Sequence, residues 1–207
     1  MAVSTSTSPS ADDRQRRRMR GEDRRVQLLE AAGELVRRKG AAAVTMDALA
    51  AEAGVSKPLV YMHFSNTPEV LLALMRQEHE RLDAEVLTGL ASATTFDERL
   101  AALTRPYFRL LAERGSLFHE LVIRQSNHEV LERWQAERRT TVVEFIAEVI
   151  RGEFDISAPR ATLAAAALLG AFESLARRWA DTAEIGQPEA EQVFRRLVHG
   201  GLEELSR

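Results

Sequence analysis

The stretch TMDALAAEAGVSKPLVYMHF, residues 45–64, decides the fold of this chain. It contains two short helical patterns that are separated by a glycine. Two short helices joined by a tight turn need a small residue where they cross, a glycine where the backbone turns, and an apolar residue where the second helix packs back. Ala50, Gly54 and Val60 occupy these three places. The stretch therefore predicts a helix-turn-helix.

The remaining side chains of this stretch divide into an inner and an outer face. Leu49, Ala53 and Val55 complete the inner face. Once Val60 is buried, helical geometry turns the other side of the second helix outward. The outer residues combine hydroxyl, cationic, aromatic and apolar groups; they are Ser56, Lys57, Pro58, Leu59, Tyr61, Met62 and His63. Such a surface suits base edges and thymine methyl groups in a major groove. The alternative is that Leu59, Tyr61 and Met62 pack on the next helix.

Helical patterns continue on both sides of the stretch. An earlier helix has apolar residues recurring every three or four positions and stops at Gly40; these residues are Val26, Leu29, Gly33 and Val36. Within the stretch we predict helices over 46–53, with Thr45 as N-cap, and over 57–64, with Ser56 as N-cap. Thr67 is predicted to cap a long helix that reaches about residue 90.

Residues 24–75 resemble the DNA-binding domain of the TetR family of bacterial regulators. The resemblance lies in RRVQLLEAAGELVRRKG, then TMDALAAEAGVSKPLVYMHF, then SNTPEVLLALM. The Lys-Gly end of the first helix, the Ala-Gly-Val-Ser turn, the Leu-Val-Tyr-x-His-Phe helix and the entry to the fourth helix occur in the family's order and spacing. The match covers about a quarter of the chain, and the rest is similar to the family in its helical layout alone.

The resemblance implies roles for individual residues at a DNA surface. Thr45, Tyr61 and His63 would contact phosphate, whereas Ser56, Lys57, Pro58, Leu59 and Met62 would face the major groove. The family usually has a lysine where this chain has Thr67, and that lysine contacts a phosphate. A threonine hydroxyl can take the same role without the charge. The arginine-rich arm, Arg14 to Arg20, is expected to supply part of the missing positive charge.

Charge and composition fit a regulator that stays in the cytoplasm. Residues 1–67 carry eleven Lys and Arg against eight Asp and Glu, net +3, which leaves seventeen against twenty-three, net -6, in the remainder. A basic front on an acidic body suits a polyanion-binding segment. The chain has no cysteine, so disulfides and thiolate metal sites are excluded. Its polar N-terminus and the absence of a long uncharged apolar run predict neither a signal peptide nor a membrane span.

The rest of the chain also has the helical period, and we predict an all-α fold. Further helices are expected at about 96–113, 116–125, 129–151, 159–183 and 188–205. The predicted organisation is a disordered basic arm (1–19), a three-helix helix-turn-helix DNA-binding domain (20–67), and a helical ligand-binding and dimerisation domain (68–207).

The last two helices are the predicted homodimer interface, which the resemblance also implies. Phe194, Leu197, Val198, Gly201, Leu202 and Leu205 form an apolar stripe in the final helix. The helix before it runs TLAAAALLGAFESLARRW from Thr162, with small residues that let another helix approach closely. The alternative is that both stripes are intramolecular core.

The resemblance also implies a small-molecule effector site in the C-terminal domain. Bulky aromatic and polar residues in the middle helices are candidates for its lining; we select Tyr107, Phe108, Arg124, Asn127, Trp134 and Phe172. Such a lining favours an apolar or amphipathic effector.

Other classes of function find little support in the sequence. The five histidines have no chelating spacing, and neither a phosphate-binding glycine loop nor a Gly-x-Ser-x-Gly elbow is present. The predicted function is a non-enzymatic regulator, without cofactor or metal, that binds a palindromic double-stranded DNA operator as a homodimer, represses, and is released by an effector. The alternative is a helical DNA-binding protein that responds to a protein partner or to nothing.

Overall fold

The computed structural model describes residues 11–114, 129–182 and 184–206, with side chains from residue 21 to 113 in the first range. All of the secondary structure in these ranges is helical, which confirms the all-α prediction. The helices are α1 (Ala11–Lys39), α2 (Met46–Ala53), α3 (Lys57–His63), α4 (Thr67–Ser92), α5 (Phe96–Arg114), α6 (Glu129–Glu153), α7 (Ala158–Thr182) and α8 (Gln187–Leu205), with one 3-10 turn at Ala41–Ala43. The helix predicted at 116–125 lies outside the described residues.

Helix α1 begins at Ala11, so the arm predicted as disordered up to residue 19 is helical from there on. The sequence explains the difference. The arginines and the glutamine of this segment have high helix propensity. The helix continues through Gly21 and Gly33 and ends before Gly40, whose φ of 82° favours glycine.

The helix-turn-helix forms as predicted, except that Ser56 precedes α3 without making a side-chain capping hydrogen bond. The Thr45 hydroxyl accepts a hydrogen bond from the Ala48 backbone N–H at 3.1 Å and begins α2. Gly54 ends α2 in the left-handed conformation, with φ 65° and ψ 34°. Helix α3 ends at His63, one residue earlier than predicted, because Phe64 adopts an extended backbone and turns its ring into the core.

The N-cap of α4 is Asn66 and not the predicted Thr67. The Asn66 side chain accepts a hydrogen bond from the Glu69 N–H at 2.9 Å, and the Glu69 carboxylate accepts one from the Ser65 N–H at 2.7 Å. An asparagine carbonyl reaches the N3 donor readily, and the Glu69 carboxylate reaches back to the N–H of the residue before the cap, in a variant of the capping box. Thr67 and Pro68 therefore occupy the first turn.

The first of two hydrophobic cores lies in a unit that we call the head, residues 21–75. It is formed by α1, α2, α3 and the first turns of α4; its fully buried side chains include Leu28, Val36, Leu49, Val60, Phe64 and Met75. Val26, predicted on the inner face of α1, is instead 46% exposed, and Leu28, Ala32 and Leu35 are buried. The core also contains Leu131 from α6, and Trp134 packs against it.

The second core lies in the body, by which we mean the described residues from 76 to 206. Helices α4 and α5 pack together, as do α6 and α7, and α8 packs on α5 and α7. Aromatic rings meet at its centre: the Tyr107 and Phe172 rings are 5.0 Å apart, and the Phe172 and Phe194 rings are also 5.0 Å apart. Edge contacts of this kind hold α5, α7 and α8 in register.

The stripe predicted on the last helix divides between two faces of α8. Phe194, Val198 and Leu202 are buried in the protomer's own core, whereas Leu197 is 60% exposed. The six positions follow the spacing of one wide apolar stripe, and Leu197 lies at the edge of that stripe that turns away from the core. The intramolecular alternative therefore holds for part of the stripe, and the exposed remainder still needs an explanation.

Candidate nucleic-acid interface and effector cavity

The outer face of α3 is open to solvent. Met62 is 76% exposed and Tyr61 is 49% exposed. Ser56, Lys57 and Pro58 are also exposed, and Leu59 and His63 are half-buried. Tyr61 and Met62 therefore do not pack into the core with α4, contrary to the alternative considered above. The face combines a cation, hydroxyls, an aromatic ring and apolar groups in reach of a partner.

Helix α3 is held against α1 by contacts at its end. The Arg25 guanidinium donates a hydrogen bond to the His63 carbonyl oxygen at 2.9 Å and lies 4.2 Å over the Phe64 ring. The Gln27 amide donates to the Ala53 carbonyl oxygen at 3.1 Å. No sequence pattern marks these roles, because the partners are 26 and 38 positions apart along the chain. The contacts satisfy carbonyl groups at the ends of α2 and α3 and fix the orientation of the outer face.

An exposed ion pair joins α2 to α3. The Lys57 ammonium lies 2.8 Å from an Asp47 carboxylate oxygen. The hydrogen bond to Asp47 raises the pKa of Lys57, so the side chain is charged at neutral pH. A lysine ammonium has three donors, so it can contact Asp47 and a base or phosphate at once.

The predicted phosphate contacts surround α3. Thr45 is exposed, and its hydroxyl oxygen accepts the capping bond, which leaves the hydroxyl proton to donate. Thr67 is half-buried in the first turn of α4. Backbone and hydroxyl donors at helix starts are common phosphate ligands. The contacts of these residues with DNA stay predictions.

A cavity of about 890 Å³ lies in the body between α4, α5, α6, α7 and α8. Of the residues predicted to bind an effector, Tyr107 and Phe172 line it. Phe108 does not, because its ring is buried against Phe172 at 5.4 Å and Trp179 at 5.2 Å. Trp134 does not either, because it packs toward the head with its ring 4.9 Å from His79. Arg124 and Asn127 lie outside the described residues.

The cavity has two chemically different ends. The end far from the head is apolar; its wall includes Phe96, Leu100, Val149, Ile150, Val198 and Leu202. The end near the head carries charged and polar groups; they include His79, Asp83, Gln135, Arg138, Arg139 and Glu173. Apolar side chains such as Leu103, Val142 and Ile146 line the middle. This gradient suits a molecule with one polar and one apolar end.

Two ion pairs stand in the polar wall. Arg138 donates two hydrogen bonds to the Asp83 carboxylate, at 2.6 and 2.9 Å. Arg139 donates to both carboxylate oxygens of Glu173, at 2.6 and 2.7 Å. A two-bond pair of the first kind adds directional specificity to charge attraction. Arg177 lies one turn beyond Glu173 on α7 and also lines the cavity.

Two further ionisable groups of the wall, His79 and Tyr107, are neutral at pH 7. Burial, aided by the positive charge of Arg138, lowers the pKa of His79 to about 4. Burial raises the pKa of the Tyr107 hydroxyl, and the nearby Glu173 carboxylate adds to that rise. The charge of the wall therefore comes from its arginines and carboxylates.

The described residues contain neither a metal-ligand cluster nor a membrane span. No group of three or more His, Asp or Glu side chains in this part of the chain is arranged to hold a metal ion. No helix among the residues described is long and apolar enough to cross a bilayer.

Comparison with known proteins gives consistent matches. The family described as "Bacterial regulatory proteins, tetR family" matches residues 28–74. The HTH-type transcriptional activator FasR of Mycolicibacterium smegmatis is 31% identical over 175 residues, covering 83% of this chain and 78% of that protein. The fatty acid metabolism regulator protein of Bacillus subtilis is 27% identical over 107 residues, covering 51% of this chain and 55% of that protein.

A solved structure shares the fold over most of the chain. The fatty acid degradation regulator FadR from Bacillus halodurans superposes with a TM-score of 0.71 over 86% of this chain and 95% of that one, at 22% identity. At this identity the likeness is one of fold. The shared fold includes both the head and the body of this chain.

Proposed function

We propose that this chain, which belongs to the TetR family of bacterial regulators, represses its target genes by binding a palindromic operator. As a member of that family it is a DNA-binding transcriptional regulator and not an enzyme. In this proposal an apolar or amphipathic effector releases the protein from the operator. The α3 face is the proposed reading surface. Lys57, Leu59 and Met62 are assigned to base edges, and Thr45, Tyr61 and His63 to phosphates. The proposed site of action is the bacterial cytoplasm, where the operator is.

We assign the homodimer interface to the outer sides of α7 and α8. Leu163 on α7 and Val193 and Leu197 on α8 are large apolar side chains left exposed by the protomer. Pairing these helices with a second copy would bury them in a four-helix interface. A two-fold dimer places two reading helices in successive major grooves, so the half-sites should lie about 34–36 Å apart.

The proposal of effector control rests on helix α4, which contributes side chains both to the core of the head and to the wall of the cavity. Its first turns supply Val70, Leu74 and Met75 to the head's core, and further along the same helix supplies Leu82 and Val86 to the cavity wall. A ligand in the cavity therefore touches the helix that supports the reading surface. A coupling of about 1–3 kcal/mol, or roughly 5- to 150-fold in DNA affinity, is typical of such switches.

The nature of the effector is supported by the cavity and by two of the similar proteins. The cavity volume, about 890 Å³, falls in the range of small-molecule pockets. One similar protein is named for fatty acid metabolism and another for fatty acid degradation. These names favour a ligand with a long apolar chain. The cavity also favours effector control over control by a protein partner alone.

The first experiment is selection of bound sequences from a random duplex library by the purified protein. It is repeated with pools of apolar and amphipathic small molecules. We expect a palindromic motif that is lost with one pool. A motif that no pool affects would support control by a protein partner or none, and the absence of any motif would overturn the operator proposal.

The sense of regulation is tested separately. The similar protein FasR is named as an activator, which favours activation as a second possibility. A promoter reporter with the selected motif, placed first over the promoter and then upstream of it, distinguishes the two. Loss of transcription in both positions supports repression, whereas a gain in the upstream position supports activation.

A further inference from the structure

We propose that the cavity takes a straight-chain amphipath with a negatively charged head, and that this head displaces Asp83 from Arg138. The inference rests on the proposed effector function and specifies its ligand. The apolar chain of the ligand would lie toward Phe96 and Leu202. Its charged group would lie at the other end of the cavity, next to residues 21–75 of the protein.

The two partners of the Asp83–Arg138 pair are unequally exposed. The Arg138 side chain is 21% exposed, whereas the Asp83 side chain is 46% exposed. The Arg138 guanidinium also lies 5.8 Å from the centre of the Trp134 ring, and Trp134 packs against the core of the head. Arg138 is therefore the fixed member of the pair, and Asp83 is the member that can turn into water.

The unequal exposure of Arg138 and Asp83 favours a ligand with an anionic group over one with a cationic group. A negative head that replaces Asp83 keeps the half-buried guanidinium paired and releases a carboxylate that water can solvate. A positive head that paired with Asp83 or Glu173 would draw that carboxylate away from its arginine and leave a guanidinium without its partner. Glu132 also lines the cavity, but its side chain is exposed and water already solvates its charge. Arg139 and Arg177 lie on the facing helices α6 and α7 beside the same end of the cavity, and Arg139 is paired with Glu173. The preference for an anion therefore rests on the unequal exposure of Arg138 and Asp83.

The same ion pair connects the body to the joint with the head. Asp83 belongs to α4 and Arg138 to α6, and just toward the head the Gln135 amide of α6 lies 3.5 Å from the Met75 sulfur of α4. Leu131, earlier on α6, is buried in the head's core. Displacing Asp83 from Arg138 thus breaks the ion pair that joins α4 to α6 beside the head, residues 21–75.

The test compares four ligands with the same twelve-carbon chain, titrated into the full chain by calorimetry. They are dodecanoate, dodecanoyl-coenzyme A, dodecan-1-ol and dodecyltrimethylammonium. We expect at least one anion to bind about tenfold tighter than the alcohol, because it makes a charge-assisted bond, and the ammonium to bind most weakly. Preference for dodecanoate identifies a free carboxylate; preference for the thioester alone identifies phosphates as the source of charge.

Variants connect the preference to the ion pair. Arg138→Gln should reduce the anion preference to less than twofold while the alcohol still binds. Asp83→Asn, at an exposed position, should tighten anion binding several-fold and shift DNA affinity without ligand toward that of the liganded wild type. Arg105→Gln breaks an exposed pair with Glu191 outside the cavity wall and should change neither value.

The outcomes separate this inference from the function on which it rests. If the alcohol and the anions bind equally and release DNA equally, effector control stands and the anion site is wrong. Tightest binding of the ammonium, or an unchanged anion preference in both cavity variants, also overturns it. If none of the four ligands binds, the proposed effector function itself loses its support.

Discussion

The head and the body are both bundles of amphipathic helices, but they use apolar side chains differently. In the head, Val60 and Phe64 are buried below the surface that carries Tyr61 and Met62, so a filled core supports an exposed face. In the body, side chains such as Leu103 and Ile146 border a space of about 890 Å³. The packed core of the head therefore gives a fixed surface, whereas the body has room for a small molecule.

The largest expected effect comes from truncating a ring in each unit. Phe64→Ala should lower the free energy of unfolding by about 3–5 kcal/mol, since it leaves a void in a packed core. Phe145→Ala should lower it by less than about 1 kcal/mol, because Phe145 is 41% exposed and already borders empty space. Urea denaturation of the two variants measures both values. Equal losses would contradict the contrast between a filled and a hollow unit.

The stability of the folded chain should depend on pH through His79, which lies where the head meets the body. Its pKa is about 4 in the folded chain against 6.5 when exposed, so the unfolded chain takes up a proton first as the pH falls. Stability is retained above pH 6.5 and decreases between pH 6.5 and 4. From pH 7 to 5 the wild type should lose about 2 kcal/mol more than His79→Gln. Parallel denaturation curves for the two proteins would refute this role.

The outer face of α3 should separate affinity from sequence preference. Tyr61→Ala and His63→Ala should weaken binding to all duplexes alike, by roughly tenfold, because phosphates carry no sequence information. Lys57→Ala and Leu59→Ala should change the order of preference among operators. Binding to a panel of single-base operator variants measures the difference. Similar shifts of preference from both sets of variants would refute the assignment.

The smallest effect is expected at the exposed ion pair of the head. Asp47→Asn should leave the midpoint of thermal unfolding almost unchanged, since exposed pairs stabilise little. It should strengthen DNA binding a few-fold, because it removes a negative charge beside Lys57. Salt-dependent binding to the selected operator checks this result. Weaker binding would mean instead that Asp47 positions the lysine.

The head could be predicted from the sequence because its constraints are local. Gly54 supplies the left-handed turn, Thr45 supplies the cap, and the burial of Val60 fixes which side of α3 faces out. What local reasoning missed were contacts between distant residues, such as Arg25 with the end of α3 and Asp47 with Lys57. Asn66 replaced Thr67 as the cap because both residues have capping side chains and only the backbone decides between them.

The cavity could not be predicted residue by residue. An apolar side chain that borders a cavity and one that fills a core follow the same helical period, so Phe172 and Phe108 were indistinguishable in the sequence. The Asp83–Arg138 pair joins residues 55 positions apart, which no pattern within a helix reveals. For the same reason the sequence did not show that Phe194 is buried in the protomer whereas Leu197, at the edge of the same stripe, is exposed.

The presence of Leu131 and Trp134 at the core of the head limits how the protein can be recombined. A gene fragment that ends after the helix-turn-helix would lack Val70, Leu74 and Leu131, all of which belong to that core. A hybrid regulator that joins this reading surface to a foreign sensor would need α4 and the start of α6 transferred with it. Exchange of sensors among such proteins is therefore expected to succeed when the splice passes through the body and to fail at the end of α3.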